Sequence, residues 1–77
     1  MVEAYILIQA EVGKAAQIAA AVGKIDGVAH SAAVMGPYDV VVHVTAEDND
    51  ALGSLVVAKI QAVEGVTRTL ACPVVRI

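Results

Sequence analysis

The chain has few of the residues that stabilise very small domains or carry the common chemistries. Its 77 residues include one cysteine, two histidines and two tyrosines, with no tryptophan or phenylalanine. One cysteine excludes an internal disulfide, and together with two separated histidines it lacks the paired spacing of a structural zinc site. We therefore expect no metal and no cofactor. Below about 80 residues a single core rarely supplies more than ~3–5 kcal/mol, so oligomerisation is the expected source of additional stability.

Charge is also scarce and scattered. Five lysines and arginines stand against eight aspartates and glutamates, for a net charge of −3. These cations form no basic patch of the kind that phosphate backbones require, so no direct binding of nucleic acid is expected. The first residues lack the pattern of a secretory signal, and no apolar run approaches the ~18 residues of a transmembrane helix. The composition predicts a soluble cytoplasmic protein with no membrane partner.

What the sequence has in abundance is apolar residues, 58% of the chain, in alternating strand and helix patterns. Residues 2–10 predict a strand, and an apolar stripe over 12–25 predicts a helix that Gly27 ends. Residues 28–35 and 39–46 predict a hairpin around a Gly-Pro-Tyr turn. Acidic residues at 48–50 and a second stripe predict a helix that Gly65 ends, followed by a last strand over 66–77 with Pro73 near its edge or at a bulge.

A shift of 38 residues superposes one half of the chain on the other. The matched positions are Ile18, Val22 and Ile25 on Val56, Ile60 and Val63; Asp26-Gly27-Val28 on Glu64-Gly65-Val66; Ser31 on Thr69; and Ala4 and Ile6 on Val42 and Val44. Each half is then β-α-β. Joined by the hairpin, they predict one domain over residues 1–77 with the α+β, ferredoxin-like β-α-β-β-α-β fold, a four-stranded antiparallel sheet with both helices on one face.

The other face of this sheet is predicted to be uncovered. Alternation directs Val40, Val42 and Val44 toward the helices. The open face then carries Tyr5, Leu7, Val41 and His43, beside Gln9 and Thr45. An exposed apolar patch of this kind marks an interaction site. We predict a homodimer packed sheet to sheet, a dimeric α/β barrel, which assembles further.

The sequence contains no Cys-x-x-Cys pair, no glycine-rich phosphate loop, no nucleophile elbow and no His-Glu-x-x-His helix. We therefore expect that the protein is not an enzyme. His30 and His43 lie on adjacent strands of the hairpin. They are interpreted either as a pair that binds a metal or exchanges protons, or as packed or hydrogen-bonded interface residues, which is the more common role of histidines in strands. Cys72 is interpreted as a small buried hydrophobic residue with no role.

Two groups of residues have an open interpretation. Asp39, at the tip of the hairpin with Tyr38, is able to accept hydrogen bonds from an ammonium group, or else to cap its own backbone. Thr67 and Thr69, two apart on the last strand, present hydroxyls on one sheet face, where they either bind a ligand or reflect strand propensity.

Three segments in order carry a resemblance to a known family: Ala4-Tyr5-Ile6-Leu7-Ile8, then Gly36-Pro37-Tyr38-Asp39-Val40 followed by Val41-Val42-His43-Val44, and Glu64-Gly65-Val66-Thr67-Arg68-Thr69. With them the whole chain resembles the effector-binding domain, often called RAM, of the Lrp/AsnC family of amino-acid-responsive transcriptional regulators.

This resemblance implies dimerisation through the open sheet faces, assembly of dimers into rings, and an amino-acid effector bound between dimers near the hairpin turn. By position, the implied ligand-binding residues are Gly36, Tyr38, Asp39, Thr67 and Thr69. Full-length members begin with a helix-turn-helix domain, so the chain resembles the stand-alone form. It is expected to act by associating with a full-length regulator rather than by reading DNA.

The sequence is also compatible with other functions. Dimeric α/β barrels also include small enzymes such as monooxygenases and isomerases, although a chain without Phe or Trp would have to line an aromatic pocket with Ala and Val. A ligand-free structural oligomerisation module is a third possibility. Amino-acid-binding ACT domains share the same element order, but the Tyr-Asp pair after the hairpin glycine favours the RAM assignment.

Overall fold

The computed structural model describes residues 1–75, in which four antiparallel strands form a sheet with the helices on one face. The sheet order is β2-β3-β1-β4, with β1 at Val2–Ala10, β2 at Val28–Ala33, β3 at Val40–Ala46 and β4 at Val66–Pro73. Helix α1 spans Ala15–Val22, and helix α2 spans Asn49–Ser54 and continues as a π-helix over Leu55–Ile60. The predicted β-α-β-β-α-β order and ferredoxin-like fold are confirmed. No helix of this described part is long and apolar enough to cross a membrane.

The helices end earlier than the glycine positions predicted. α1 ends at Val22, five residues before Gly27, and the backbone then continues in i→i+3 turns, with the Lys24 N–H on the Ala21 carbonyl and the Ile25 N–H on the Val22 carbonyl. The Ser31 hydroxyl donates to the Ala19 carbonyl at 2.7 Å, and a Cβ added to Gly23 would lie 3.0 Å from that hydroxyl. Gly27 instead has a φ of +96° directly before β2, so its left-handed conformation serves the entry into the strand.

The second helix begins as predicted but changes its winding. Asp48 is the N-cap, its carboxylate accepting the Ala51 N–H at 2.8 Å. From Leu55 the helix widens to the i→i+5 pattern, as in the 2.9 Å bond from the Gln61 N–H to the Val56 carbonyl. This π-helix was not predicted, because the apolar stripe faces the sheet in either winding.

The internal repeat is confirmed, with one correction to its alignment. Two successive turns recur at a shift of 38: Ile25 N–H to Val22 and Val28 N–H to Ile25 in the first half, Val63 N–H to Ile60 and Val66 N–H to Val63 in the second. Gly27 and Gly65 share a φ of +96°. The first strands, however, superpose at a shift of 34. Val28 pairs with Val44 whereas Val66 pairs with Ala10. Likewise, the Thr45 N–H donates to the Gly27 carbonyl as the Glu11 N–H donates to the Gly65 carbonyl.

The two faces of the sheet differ as predicted. Alternate residues of the central strands form the core with the helices and are completely buried: Ala4, Ile6 and Ile8 of β1 and Val40, Val42 and Val44 of β3. On the open face, Tyr5 pairs with His43 and Leu7 with Val41. β4 adds Leu70 opposite Leu7 and Cys72 opposite Tyr5.

Two sequence-based expectations for β4 need correction. Cys72 is exposed, because it lies on the uncovered face of an edge strand. The strand itself ends at Pro73, which pairs with Ala4, so it is shorter than predicted. The last two residues of the predicted strand, 76 and 77, lie outside the described residues.

Candidate functional site

The hairpin turn is fastened to the end of β1 by its backbone. The Val34 N–H donates to the Asp39 carbonyl at 2.9 Å, and the Asp39 N–H donates to the Ile8 carbonyl at 2.8 Å. Across the strands, the Gln9 side-chain amide donates to the Pro37 carbonyl at 3.3 Å. The predicted turn residues are thereby held at the carboxyl end of β1, at one end of the sheet.

The Asp39 side chain makes a structural contact that neither sequence interpretation anticipated. One carboxylate oxygen accepts the Ala10 N–H at 2.8 Å, so Asp39 caps the last residue of the neighbouring strand rather than its own backbone. A carboxylate offers about four acceptor positions on its two oxygens. The bond to Ala10 therefore leaves Asp39 able to accept from an ammonium group as well.

The two threonines of β4 are separated by a β-bulge. Gln9 pairs with Arg68 while Ala10 pairs with Val66, which leaves Thr67 as the extra residue. Thr69 lies opposite the buried Ile8, on the helix side of the sheet. The two-residue alternation that predicted one common face for both hydroxyls is broken between them.

Each threonine hydroxyl is engaged in a different way. Thr67 donates to the Gln9 carbonyl at 3.1 Å, which uses its only proton. Thr69 accepts from the Gln61 side-chain amide at 2.8 Å, which leaves its own O–H free to donate. Of the two, Thr69 is therefore the better donor for a ligand carboxylate.

A depression of about 380 Å³ lies along this part of β4 and is lined by Gln61, Val66, Thr67, Arg68 and Thr69; we call it the β4-edge depression. Two of its donors were not assigned from the sequence. Arg68 lies inside the motif that carries the family resemblance and offers a guanidinium, the group best suited to a carboxylate. Gln61 follows the π-helix, and no sequence signal connects it with β4.

The predicted binding residues thus fall into two groups at the same end of the sheet. The turn residues Gly36, Tyr38 and Asp39 lie on the β3 side of β1, and the threonines lie on its β4 side. Because neighbouring strands are about 4.8 Å apart, the backbones of β3 and β4 are separated by roughly 10 Å. β1 lies between the groups and is hydrogen-bonded to both, through Asp39 to Ala10 and through Thr67 to Gln9.

The open sheet face carries a polar and aromatic cluster at its centre. His43 Nε2 lies 2.7 Å from a Glu3 carboxylate oxygen, and the His43 ring stacks on Tyr5 with centroids 5.0 Å apart. His30 is the direct pairing partner of His43 on β2. Within residues 1–75, no three His, Cys, Asp or Glu side chains meet in a way that could hold a metal ion. The observed contacts of His43 are those of a packed, hydrogen-bonded residue.

The fold and this arrangement at the sheet end define a ferredoxin-like domain, and comparison with known proteins places it in a family. A model of the Lrp/AsnC ligand binding domain matches residues 3–77, and the chain belongs to this family. None of the curated proteins matches the chain significantly.

Solved structures agree with this assignment. The chain is similar to TTHA0845 from Thermus thermophilus, with 31% sequence identity, a TM-score of 0.93 and coverage of 100% of this chain and 96% of that one. It has the fold of E. coli AsnC, with 22% identity, a TM-score of 0.90 and coverage of 99% and 52%. It also has the fold of the transcriptional regulator NMB0573 from Neisseria meningitidis, solved in complex with L-Met, with 22% identity, a TM-score of 0.85 and coverage of 97% and 50%. The chain spans about half the length of these two regulators.

Proposed function

We propose that this domain binds an amino acid or a related small metabolite as an effector, and that it assembles through its open sheet face into homodimers and larger homo-oligomers. In this proposal it acts by associating with full-length Lrp/AsnC regulators in the cytoplasm and is not an enzyme. The observation that carries the proposal is that the turn and the β4 threonines lie at the same end of the sheet, bonded to β1 from either side, in a chain whose family is defined by ligand binding.

The chemistry of this end of the sheet suits a zwitterion. Asp39 retains acceptor capacity for an ammonium group, while Thr69, Gln61 and Arg68 supply donors for a carboxylate. The roughly 10 Å between the two groups, set by the spacing of strands, favours a ligand shared between chains, one supplying the turn and another the β4 edge. The neighbouring regulator that was solved with L-Met supports an amino acid as the ligand class.

Oligomerisation is proposed from the surface that the fold leaves bare. Tyr5 is 46% exposed and Leu70 43% exposed on the face opposite the helices, beside the half-buried Leu7 and Val41. Covering these side chains with a second copy would give a chain of this size the additional burial it needs. Tyr5, Leu7, Val41 and His43 are the proposed interface residues.

The test is a thermal-shift panel of the twenty amino acids on the purified protein, combined with light scattering for mass. A ligand that binds only the native state raises the melting temperature by mass action, so a selective shift in an oligomeric protein is expected. Thr69→Val, which removes the hydroxyl at the same volume, should weaken that shift, whereas Val57→Thr, the reverse exchange at an exposed position outside the β4-edge depression, should not. No shift with any amino acid would refute effector binding, and a monomeric mass would refute the assembly.

A further inference from the structure

A second depression lies at the opposite end of the sheet from the proposed effector site. It has a volume of about 470 Å³ and is bounded by the start of β2, the end of β3 and the second helix. We call it the β3-end depression. Four polar side chains line it, together with an aliphatic wall that includes Leu55 and Ala58; the four are Asp26, Thr45, Ser54 and Lys59.

The polar side chains of the β3-end depression are all unused by the fold. Within residues 1–75, neither the acid nor the base forms an ion pair, and neither hydroxyl forms a hydrogen bond. Three polar side chains of the proposed effector site differ in this respect, since Asp39, Thr67 and Thr69 are each engaged by a neighbouring element. The fold therefore gives a structural reason for these three and none for the four polar side chains of the β3-end depression.

The internal repeat shows that the wall of this depression is specific to the second half of the chain. The first strands repeat at a shift of 34, whereas the helices and the second strands repeat at a shift of 38, so the second half has four additional residues between its first strand and its helix. By the helix alignment, α1 corresponds to residues 53–60, and residues 49–52 form an inserted turn at the start of α2 with no helical counterpart in the first half. Ala51 of this inserted turn lines the depression, and Ser54 follows it.

The second departure from the repeat lies on the same wall. The second helix is π-helical from Leu55 to Ile60, where its counterpart in α1 is α-helical, and Ala58 and Lys59 of this segment line the depression. π-helical turns are rare and frequently occur at functional sites.

The two repeat-related glycines differ in what covers them. The Lys14 stem packs over Gly65, with its Cβ 3.2 Å from the position of an added glycine Cβ. Over Gly27, the equivalent glycine, lies a methyl group of Leu55 at 3.3 Å, and the space beside this contact stays open as the β3-end depression. The depression is therefore a departure from the repeat and not a consequence of it.

From these observations we propose that the β3-end depression is a second binding site, for a small metabolite that carries both an ammonium and a carboxylate on an aliphatic body. Asp26 would accept from the ammonium, Lys59 would pair with the carboxylate, and the hydroxyls of Thr45 and Ser54 would complete the polar contacts. Its volume lies in the range of small-molecule sites. The proposal is independent of the effector site at the hairpin turn.

The experiment maps binding by methyl NMR, with the free amino acids as probes. The intact oligomeric protein is labelled at alanine and leucine methyls and titrated with each of the twenty amino acids. Saturable shifts at Ala46, Ala51, Leu55 and Ala58 are expected for at least one of them. Shifts at Ala33 report separately on the turn, shifts at Ala10 on the end of β1 beside β4, and shifts at Leu70 on the open sheet face. Binding at either site can therefore be detected or absent independently of the other.

Charge-removing variants then test the assigned roles. Asp26→Asn and Lys59→Met are each expected to weaken binding at the depression roughly tenfold or more, since each removes one charge-assisted contact. The matched controls are Glu64→Gln, at the position equivalent to Asp26 in the repeat, and Lys24→Met, an exposed lysine outside the depression; both should leave the affinity unchanged. Absence of saturable shifts at the four methyl groups with all twenty probes, or unchanged affinity in Asp26→Asn and Lys59→Met, would overturn the proposal.

Discussion

The double role assigned to Asp39 makes a prediction that separates folding from ligand binding. Asp39→Ala removes the acceptor of the partly buried Ala10 N–H, whose hydrogen bond measures 2.8 Å. A hydrogen bond to a charged group contributes about 1.5–3 kcal/mol, and partial access of water places this one near the lower end. We expect a loss of about 1.5–2 kcal/mol. For a domain of this size that corresponds to a fall in melting temperature of roughly 6–16 °C.

Asp39→Asn retains an oxygen acceptor but loses the charge. Because charge-assisted bonds are roughly twice as strong as neutral ones, we expect it to cost about half as much stability as Asp39→Ala, while amino-acid binding at the hairpin turn is lost in both variants. Stability is measured by thermal and urea unfolding at one fixed protein concentration, because the melting temperature of an oligomer depends on concentration. Glu47→Ala, at an exposed acid, is the control. The reasoning is refuted if Asp39→Ala is as stable as the wild type, or if Asp39→Asn binds amino acids at the hairpin turn with unchanged affinity.

Two further predictions concern the sheet face and the glycines. Val41→Glu places a charge on the proposed dimer face and should release monomers or unfolded chain. Val57→Glu, at a valine that is 65% exposed on the helix side, should leave the mass unchanged. The mass is measured by sedimentation velocity, and an intact Val41→Glu dimer would contradict the proposed interface. Gly65→Ala should lose about 1–2 kcal/mol or more, because φ is +96° and the new Cβ would lie 3.2 Å from both Ile18 and Lys14. Gly53→Ala, inside α2 with open space around it, should gain about 0.5–1 kcal/mol in urea unfolding, and a gain at Gly65 instead would show that the backbone argument is wrong.

The faces of the sheet were predictable because alternation tolerates the error that the repeat alignment made. The sequence match placed Ala4 on Val42, whereas the strand pairing aligns Ile8 with Val42. The two alignments differ by four residues, which is an even number, so every inward-facing residue remained inward-facing. An error of one residue would have exchanged the core and the open face.

The lengths and winding of the helices were less predictable. Glycines mark where the chain must take a left-handed conformation, but at Gly27 this conformation belongs to the entry into the strand. The last turn of the helix lies several residues earlier, where the Ser31 hydroxyl of β2 donates to the Ala19 carbonyl. The π-helix has no periodic signature either, because Leu55, Val56 and Ile60 face the core in both windings.

The sequence located the elements of the candidate site but not their bonding. The motifs that carry the family resemblance identified the turn and the start of β4, and the structure places both at one end of the sheet. The sequence did not reveal the bulge at Thr67, since a bulge depends on the register between two distant strands. Gln61 was missed for a similar reason, because its hydrogen bond to Thr69 depends on how the second helix packs across the sheet.

The bonds at the end of β1 have a consequence for the thermodynamics of recognition. Three consecutive residues of β1 take part: the carbonyls of Ile8 and Gln9 accept from the Asp39 N–H and the Thr67 hydroxyl, and the Ala10 N–H donates to the Asp39 carboxylate. These contacts fix the groups on either side of β1 while the chain folds. A ligand that meets them encounters side chains with little conformational entropy left to lose, so more of the interaction free energy contributes to affinity. The same contacts that hold the strand end in place would let a domain of 77 residues with no Phe or Trp bind a molecule as small as an amino acid.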